Sequence, residues 1–301
     1  MFMFKNRYGE LRSGWSIVVL LLISILGLGV GSSMVPEDGG EASIALKITV
    51  TMVYSLITIG GAILLFKLIY KRRLSQMGLN TKGWIAGAFH GFVLGTVSIG
   101  LIFAILVFVG EAEVVGVDQG KIFTVTLLVE FISVSIMAFS EEVLMRGFLM
   151  TALKPTRNKW VIFLAPSILF SLFHLMNPGV TILSLLNTFL AGMLFAYMFL
   201  KSGKLWLPSG YHIAWNFFQG DIFGMNVSGN SQTAIFSTKL GTNELLTGGS
   251  YGPEGGLLVT FVLLLGFLYI RFIMKRPKDL IWTMESDLPF TQGKLLQGEN
   301  S

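Results

Sequence analysis

The sequence contains no cysteine. That removes disulfides, thiolate zinc sites and cysteine nucleophiles together, so any chemistry must use other side chains. Charge is also scarce: 13% of residues are Asp, Glu, Lys or Arg against 53% hydrophobic, and the mean hydropathy is +0.71. A chain of this kind has too little polar surface to coat a soluble globule. No soluble domain and no internal repeat is visible. Two long polar stretches remain: the Gly-, Ser-, Thr- and Asn-rich segment Asn226–Glu254, which reads as an irregular extracytoplasmic surface loop without chemistry, and the short polar tail after Lys275, which does not look catalytic either.

The rest is a series of apolar stretches, and roughly 20 such residues suffice to cross a hydrocarbon core. The expected spans are Gly14–Met34, Leu46–Tyr70, Trp84–Gly110, Ile122–Leu153, Trp160–Met176, Val180–Leu200, Leu205–Met225 and Gly255–Met274. In lipid each span must satisfy its own backbone hydrogen bonds, and these runs are too long for barrel strands. The fold class is therefore all-α: a polytopic transmembrane bundle of about eight helices, with an integral membrane domain over 1–275, its core motifs within 122–225, and a polar tail over 276–301. The first span follows Lys5, Arg7 and Arg12, as a signal peptide would, but its apolar run is longer than an h-region and reads as a retained helix.

The net charge of +5 does not point to nucleic acid, because it follows the connections between spans. Basic residues gather in alternate connections: Lys5, Arg7 and Arg12; Lys71, Arg72, Arg73 and Lys82; Lys154, Arg157 and Lys159; Lys201 and Lys204; Arg271, Lys275, Arg276 and Lys278. The intervening connections are acidic, with Glu37, Asp38 and Glu41, then Glu111, Glu113 and Asp118, then Asp221, Glu244 and Glu254. The positive-inside rule then places both termini in the cytoplasm and makes membrane lipid the constant partner. No eukaryotic targeting or retention motif is visible at either end, so the plasma membrane of a bacterium is the expected location.

Ionisable groups inside the membrane each cost roughly 2.5–3.5 kcal/mol to insert, so each needs a reason. The fourth span contains Glu141, Glu142 and Arg146 as E-E-x-x-x-R; the fifth contains Phe170 and His174 as F-x-x-x-H; the seventh contains His212 and Asn216 as H-x-x-x-N. Each fragment alone has a structural reading. Glu142 and Arg146 are four apart and form a charge-balancing pair on one helix face, and a histidine in an apolar helix commonly packs and hydrogen-bonds. Arg146 can neutralise one of the two adjacent glutamates, which leaves Glu141 to be explained.

Depth links the fragments. Counting 1.5 Å per residue, Glu141 lies roughly 20 Å from the basic loop at Lys154, His174 roughly 22 Å beyond Lys159, and His212 and Asn216 roughly 12 and 18 Å beyond Lys204. The four side chains can meet in one buried polar chamber. A carboxylate there can act as general base on water, while imidazoles and an amide hold the water and stabilise an oxyanion, an inventory suited to amide hydrolysis. No serine–histidine–acid arrangement is evident, since Ser140 and Glu141 point roughly 100° apart. Glu141, His174 and His212 are also a two-His, one-carboxylate set of the zinc-hydrolase kind. A mechanism without cofactor is the expectation, because no H-E-x-x-H helix is present. Among other polar residues, His90 lies in a small-residue stretch suited to close helix packing, Glu130 is near the acidic end of its span, and Asn187 is placed for an interhelical hydrogen bond.

In these three fragments, over roughly Glu141–Asn216, the chain resembles the CPBP family, which groups type II CAAX prenyl proteases with bacteriocin-processing and immunity-related membrane proteins. The motifs occur in family order, on separate spans and with similar spacing. The resemblance implies an intramembrane endopeptidase acting on a membrane-associated or lipidated protein or peptide. It implies that Glu141 activates water, His174 positions or polarises it, His212 and Asn216 form the oxyanion site, and Glu142 and Arg146 support them; Phe170 reads as a supporting residue that packs beneath His174. The family has been described both as metal-dependent and as glutamate-type, which leaves zinc open. Two other functions fit the same residues: a non-catalytic scaffold or immunity protein that keeps the motif for structure, and a proton-coupled transporter using Glu and His as a relay. The absence of an inverted repeat argues against the transporter.

Overall fold

A computed structural model describes residues 4, 12–32 and 44–275. The charges expected at Lys5, Arg7, Glu37, Asp38, Glu41, Arg276 and Lys278, and the polar tail over 276–301, lie outside the described residues. Eight long helices run through the described part: α1 (Ser13–Ser32), α2 (Ile44–Leu65), α3 (Trp84–Phe108), α4 (Val125–Glu142), α5 (Lys159–Phe173), α6 (Ile182–Ser202), α7 (Trp206–Phe217) and α8 (Leu257–Leu268). Each falls on one of the eight expected spans. Wider π turns continue four of them: Phe66–Tyr70 after α2, Val143–Leu149 after α4, Phe218–Ile222 after α7 and Tyr269–Ile273 after α8. Three segments, Ala45–Tyr70, Trp84–Phe108 and Ile182–Ser202, are long and apolar enough by length and composition alone to cross a membrane. Among the described residues the others do not meet both conditions.

Local chemistry sets the starts of the site-bearing helices. Thr124 Oγ1 accepts from Leu127 N ahead of α4, Asn158 Oδ1 accepts from Trp160 N and Val161 N ahead of α5, and Thr181 with Ser184 forms a capping box ahead of α6. The outer faces carry exposed large hydrophobic side chains, among them Leu22, Leu64, Phe89, Val97 and Phe261. This is the reverse of a water-soluble bundle and suits hydrocarbon. Inside, Ile99, Ile102, Phe148, Leu149, Phe199 and Leu205 form part of one buried cluster.

The closest helix pairing is that of α3 with α7, and glycine permits it. A Cβ on Gly91 would collide with the Leu207 carbonyl, one on Gly95 with the Tyr211 carbonyl, and one on Gly210 with the Ala88 carbonyl. Backbone therefore rests on backbone, as small-residue stripes allow. His90, beside this stripe, bonds Tyr269 Oη through Nε2 at 2.8 Å and so links α3 to the end of α8.

The polar segment Asn226–Glu254 departs from the expected irregular surface loop. Its strand β2 (Phe236–Leu240) pairs antiparallel with β1 (Ala112–Val117), Ala112 facing Leu240 and Val117 facing Phe236, with an irregularity between Val114 and Gly116. Tyr251 and Thr247 are fully buried. The segment folds back over the bundle end because its glycines accept close backbone approach: a side chain on Gly229 would strike the Pro178 carbonyl, and one on Gly252 the Asn226 carbonyl, both at positive φ.

The α3–α7 contact gives a first prediction. Gly91→Ala is expected to lose about 1–3 kcal/mol through overpacking, whereas Gly100→Ala, which meets nothing within 4 Å on the same helix, is expected to be neutral or stabilising. Thermal unfolding of the two variants in detergent would check this, and equal melting temperatures would refute the close-contact account.

Candidate active site

The two adjacent glutamates at the end of α4 have separate environments. Glu142 is fully buried, and its Oε1 accepts from Arg146 Nη1 at 2.9 Å and from His212 Nδ1 at 3.2 Å. Arg146, in the π turn Val143–Leu149, is also fully buried. Its Nη2 donates to the Gly192 carbonyl at 2.9 Å, and its guanidinium lies 4.7 Å from the Phe170 ring centroid and 5.2 Å from that of Phe195. One network thus joins α4, α5, α6 and α7 through a buried charge pair, a carbonyl and two aromatic faces.

Glu141 is outside that network. Its side chain keeps 27% exposure, toward the chamber, and its Oε2 stands 3.8 Å from His212 Nε2. The His212 ring is stacked on Phe195 at 4.9 Å between centroids and edge-on to Phe170 at 6.0 Å, so its plane is fixed by packing. Asn216, one turn further along α7, is buried and lines the chamber.

His174 follows the last residue of α5. Its Nδ1 lies 2.8 Å from the Phe170 carbonyl, which can only accept, so Nδ1 carries the hydrogen and Nε2 is left free. The Phe170 ring touches both imidazoles, at 4.9 Å from His174 and 6.0 Å from His212. All of Glu141, His174, His212 and Asn216 line one chamber of about 980 Å³, with Phe170 in its wall. Ser140 is excluded from it: it is fully buried and donates to the Met137 carbonyl at 2.7 Å.

The set does not close into a metal site. Among the described residues no three His, Asp or Glu side chains come near enough to hold an ion together. The alternative donor set Glu141, His174 and His212 does not fit a metal as it stands.

Two chamber residues escaped the sequence reading. Tyr54, on α2, lies close enough to Glu141 for their charges to interact; no local motif marks it. Glu254, in the loop just before α8 and outside the spans, accepts from Trp215 Nε1 at 3.2 Å and from the Ser228 backbone N and Oγ. Burial pushes its carboxyl above the ordinary 4.5, and the Ser228 bonds and the His174 charge pull it partly back. Asn187 joins the same wall, its Nδ2 donating to the Glu254 and Gly256 carbonyls at 2.8 and 2.9 Å while its Oδ1 accepts from Thr260.

Arg146→Ala leaves Glu142 buried without its counter-charge and is expected to destabilise by about 3–5 kcal/mol, read as a large fall in melting temperature. A raised Glu254 pKa favours the protonated folded state, so its contribution is fully present below the ordinary 4.5 and is lost as pH climbs through the raised value. The melting temperature of the wild type relative to Glu254→Gln is therefore expected to decline across that window, and a flat or rising difference would contradict it.

Compared with known proteins, residues 122–218, about a third of the chain, match the family model described as type II CAAX prenyl endopeptidase Rce1-like. The matched segment runs from α4 through α7 and contains Glu141, Glu142, Arg146, Phe170, His174, His212 and Asn216, while Tyr54 and Glu254 lie outside it. No curated protein and no solved structure matches the chain. Over residues 122–218 the chain is similar to the Rce1-like family of type II CAAX prenyl endopeptidases, and its long apolar helices suit a multi-pass membrane protein.

Proposed function

We propose that the chamber hydrolyses a peptide bond of a membrane-associated protein or peptide, with Glu141 as the base that activates water and without a metal. The observation that carries this reading is the division of labour between the adjacent carboxylates. Glu142 is committed to Arg146 and His212, whereas Glu141 faces the chamber with His212 beside it.

In this reading a water held between Glu141 and the free Nε2 of His174 gives its proton to Glu141 as its oxygen attacks the peptide carbonyl carbon. The carbonyl oxygen becomes an oxyanion, accepting from the Asn216 amide and, when the ring carries both protons, from His212 Nε2. Glu142 accepts from Nδ1 of the same ring and keeps it turned toward the reacting atoms. Collapse of the tetrahedral intermediate breaks the C–N bond, and Glu141 returns the proton to the leaving amine. The four residues stand on three helices tied together by the Glu142–Arg146 network, so the base, the water-holding imidazole and the oxyanion donors keep a fixed spacing. The charge pattern of the connections supports an orientation with both termini in the cytoplasm.

Purified protein in nanodiscs, offered a membrane-extract peptide library, tests the reading. Glu141→Gln is expected to fold and melt as the wild type does but to lose about a hundredfold to ten-thousandfold in cleavage rate, and a zinc chelator is expected to leave wild-type cleavage unchanged. Cleavage retained in Glu141→Gln would remove the base from the mechanism, and loss with chelator would remove its metal-free form.

A further inference from the structure

A second polar cluster lines the same chamber, away from Glu141. Glu130 lies eleven residues earlier on α4, roughly 16 Å along the helix axis. It is 5% exposed; its Oε2 pairs with Lys121 Nζ at 2.8 Å and its Oε1 accepts from Thr233 Oγ1 at 2.6 Å. Lys121 also donates to the Thr233 carbonyl and lies within bonding distance of its hydroxyl, so its ammonium is committed.

Asp221, in the π turn that continues α7, is 2% exposed and lines the chamber. Its backbone carbonyl holds the polar loop by accepting from Ile235 N at 2.9 Å. Its carboxyl takes no part in that, and among the described residues Oδ2 has no hydrogen-bond partner. Asp221 is near enough to both Glu130 and Lys121 for their charges to interact. Two buried carboxylates therefore stand near one ammonium that is already bound to Glu130 and Thr233, and the Asp221 Oδ2 is left over. Buried polar atoms without partners are rare enough in folded proteins to need a cause.

We infer that Asp221, with Glu130 beside it, is a subsite for a cationic group, an ammonium or guanidinium, carried by the peptide that occupies the chamber. This rests on the peptidase reading and adds a substrate preference to it. Such a cation restores neutrality to the cluster and gives the Asp221 oxygen a charge-assisted hydrogen bond. An extended chain rises about 3.3 Å per residue, so the cationic residue sits about five residues from the bond presented to Glu141.

The test separates binding from cleavage. The Glu141→Gln protein in nanodiscs is titrated with a fluorescent series of otherwise neutral peptides in which one lysine is walked along the chain, each paired with a norleucine control. Lysine at one position or two adjacent positions is expected to tighten binding about tenfold, the equivalent of one charge-assisted bond. Asp221→Asn on this background is expected to cut that gain below about twofold, Asp221→Glu to restore it, and acetylation of the lysine to abolish it without touching the protein. Equal affinity for lysine and norleucine at every position would overturn the subsite, as would a gain that survives Asp221→Asn. If the gain appears but the wild type cleaves none of these peptides, the subsite stands and the peptidase reading fails; cleavage by the wild type without any lysine gain removes the subsite alone.

Discussion

Burying a charge pair where neither water nor lipid can solvate it is the constraint from which this architecture follows. Glu142 and Arg146 are both fully buried, and each unpaired would be far costlier than the two together. The pair holds only with further partners in place: the Gly192 carbonyl, the His212 ring, and the Phe170 and Phe195 faces. Those partners come from three other helices. The charge pair therefore specifies how α4, α5, α6 and α7 meet, and the π turn that follows Glu142 carries Arg146 into the centre of that meeting. Wider turns of this kind are frequent where a helix must re-aim side chains at a functional site.

The same constraint explains why two glutamates in succession behave differently. Adjacent residues on a helix point roughly 100° apart, so only one can enter the buried pair. The other, Glu141, is turned to the chamber, where it keeps 27% exposure and the access to water that the proposed base needs. The α3–α7 contact supplies the second support. With glycine at positions 91, 95 and 210, α7 rests directly on the α3 backbone, and the helix bearing His212 and Asn216 has little freedom to slide away from Glu141.

Most of the helices and the chemistry-bearing motifs were legible in the sequence, for a physical reason. A span must be apolar and long, and an ionisable group within it must have a function or a partner, so Glu141, His174, His212 and Asn216 stand out against their surroundings and lie on the chamber wall. What was not legible had no such contrast. Tyr54 is an ordinary amphipathic residue in an apolar helix, and its neighbour Glu141 is far away in sequence. The segment Asn226–Glu254 reads as surface because it is polar and glycine-rich. Those glycines instead serve tight backbone contacts, and its Ser228, Thr233 and Glu254 line the chamber. Composition reports how a loop is solvated in isolation; it carries no information on a cavity whose far wall other helices build.

The division between matched and unmatched sequence has a mechanical counterpart. The Rce1-like segment, residues 122–218, contains the side chains assigned to the chemistry, together with Glu130. Asp221, Thr233 and Glu254 come from beyond its end, and Tyr54 from before its start, yet all four line the same chamber. The chamber wall is thus built jointly by the four helices of the charge network and by a loop and an outer helix that the network does not include. The two sets meet at several contacts: Thr233 donates to Glu130, Asn187 donates to the Glu254 carbonyl, and the indole of Trp215, one residue before Asn216 on α7, donates to the Glu254 carboxylate. A change in the loop can therefore alter what the chamber admits while the helices continue to hold Glu141 and His212 at the same separation.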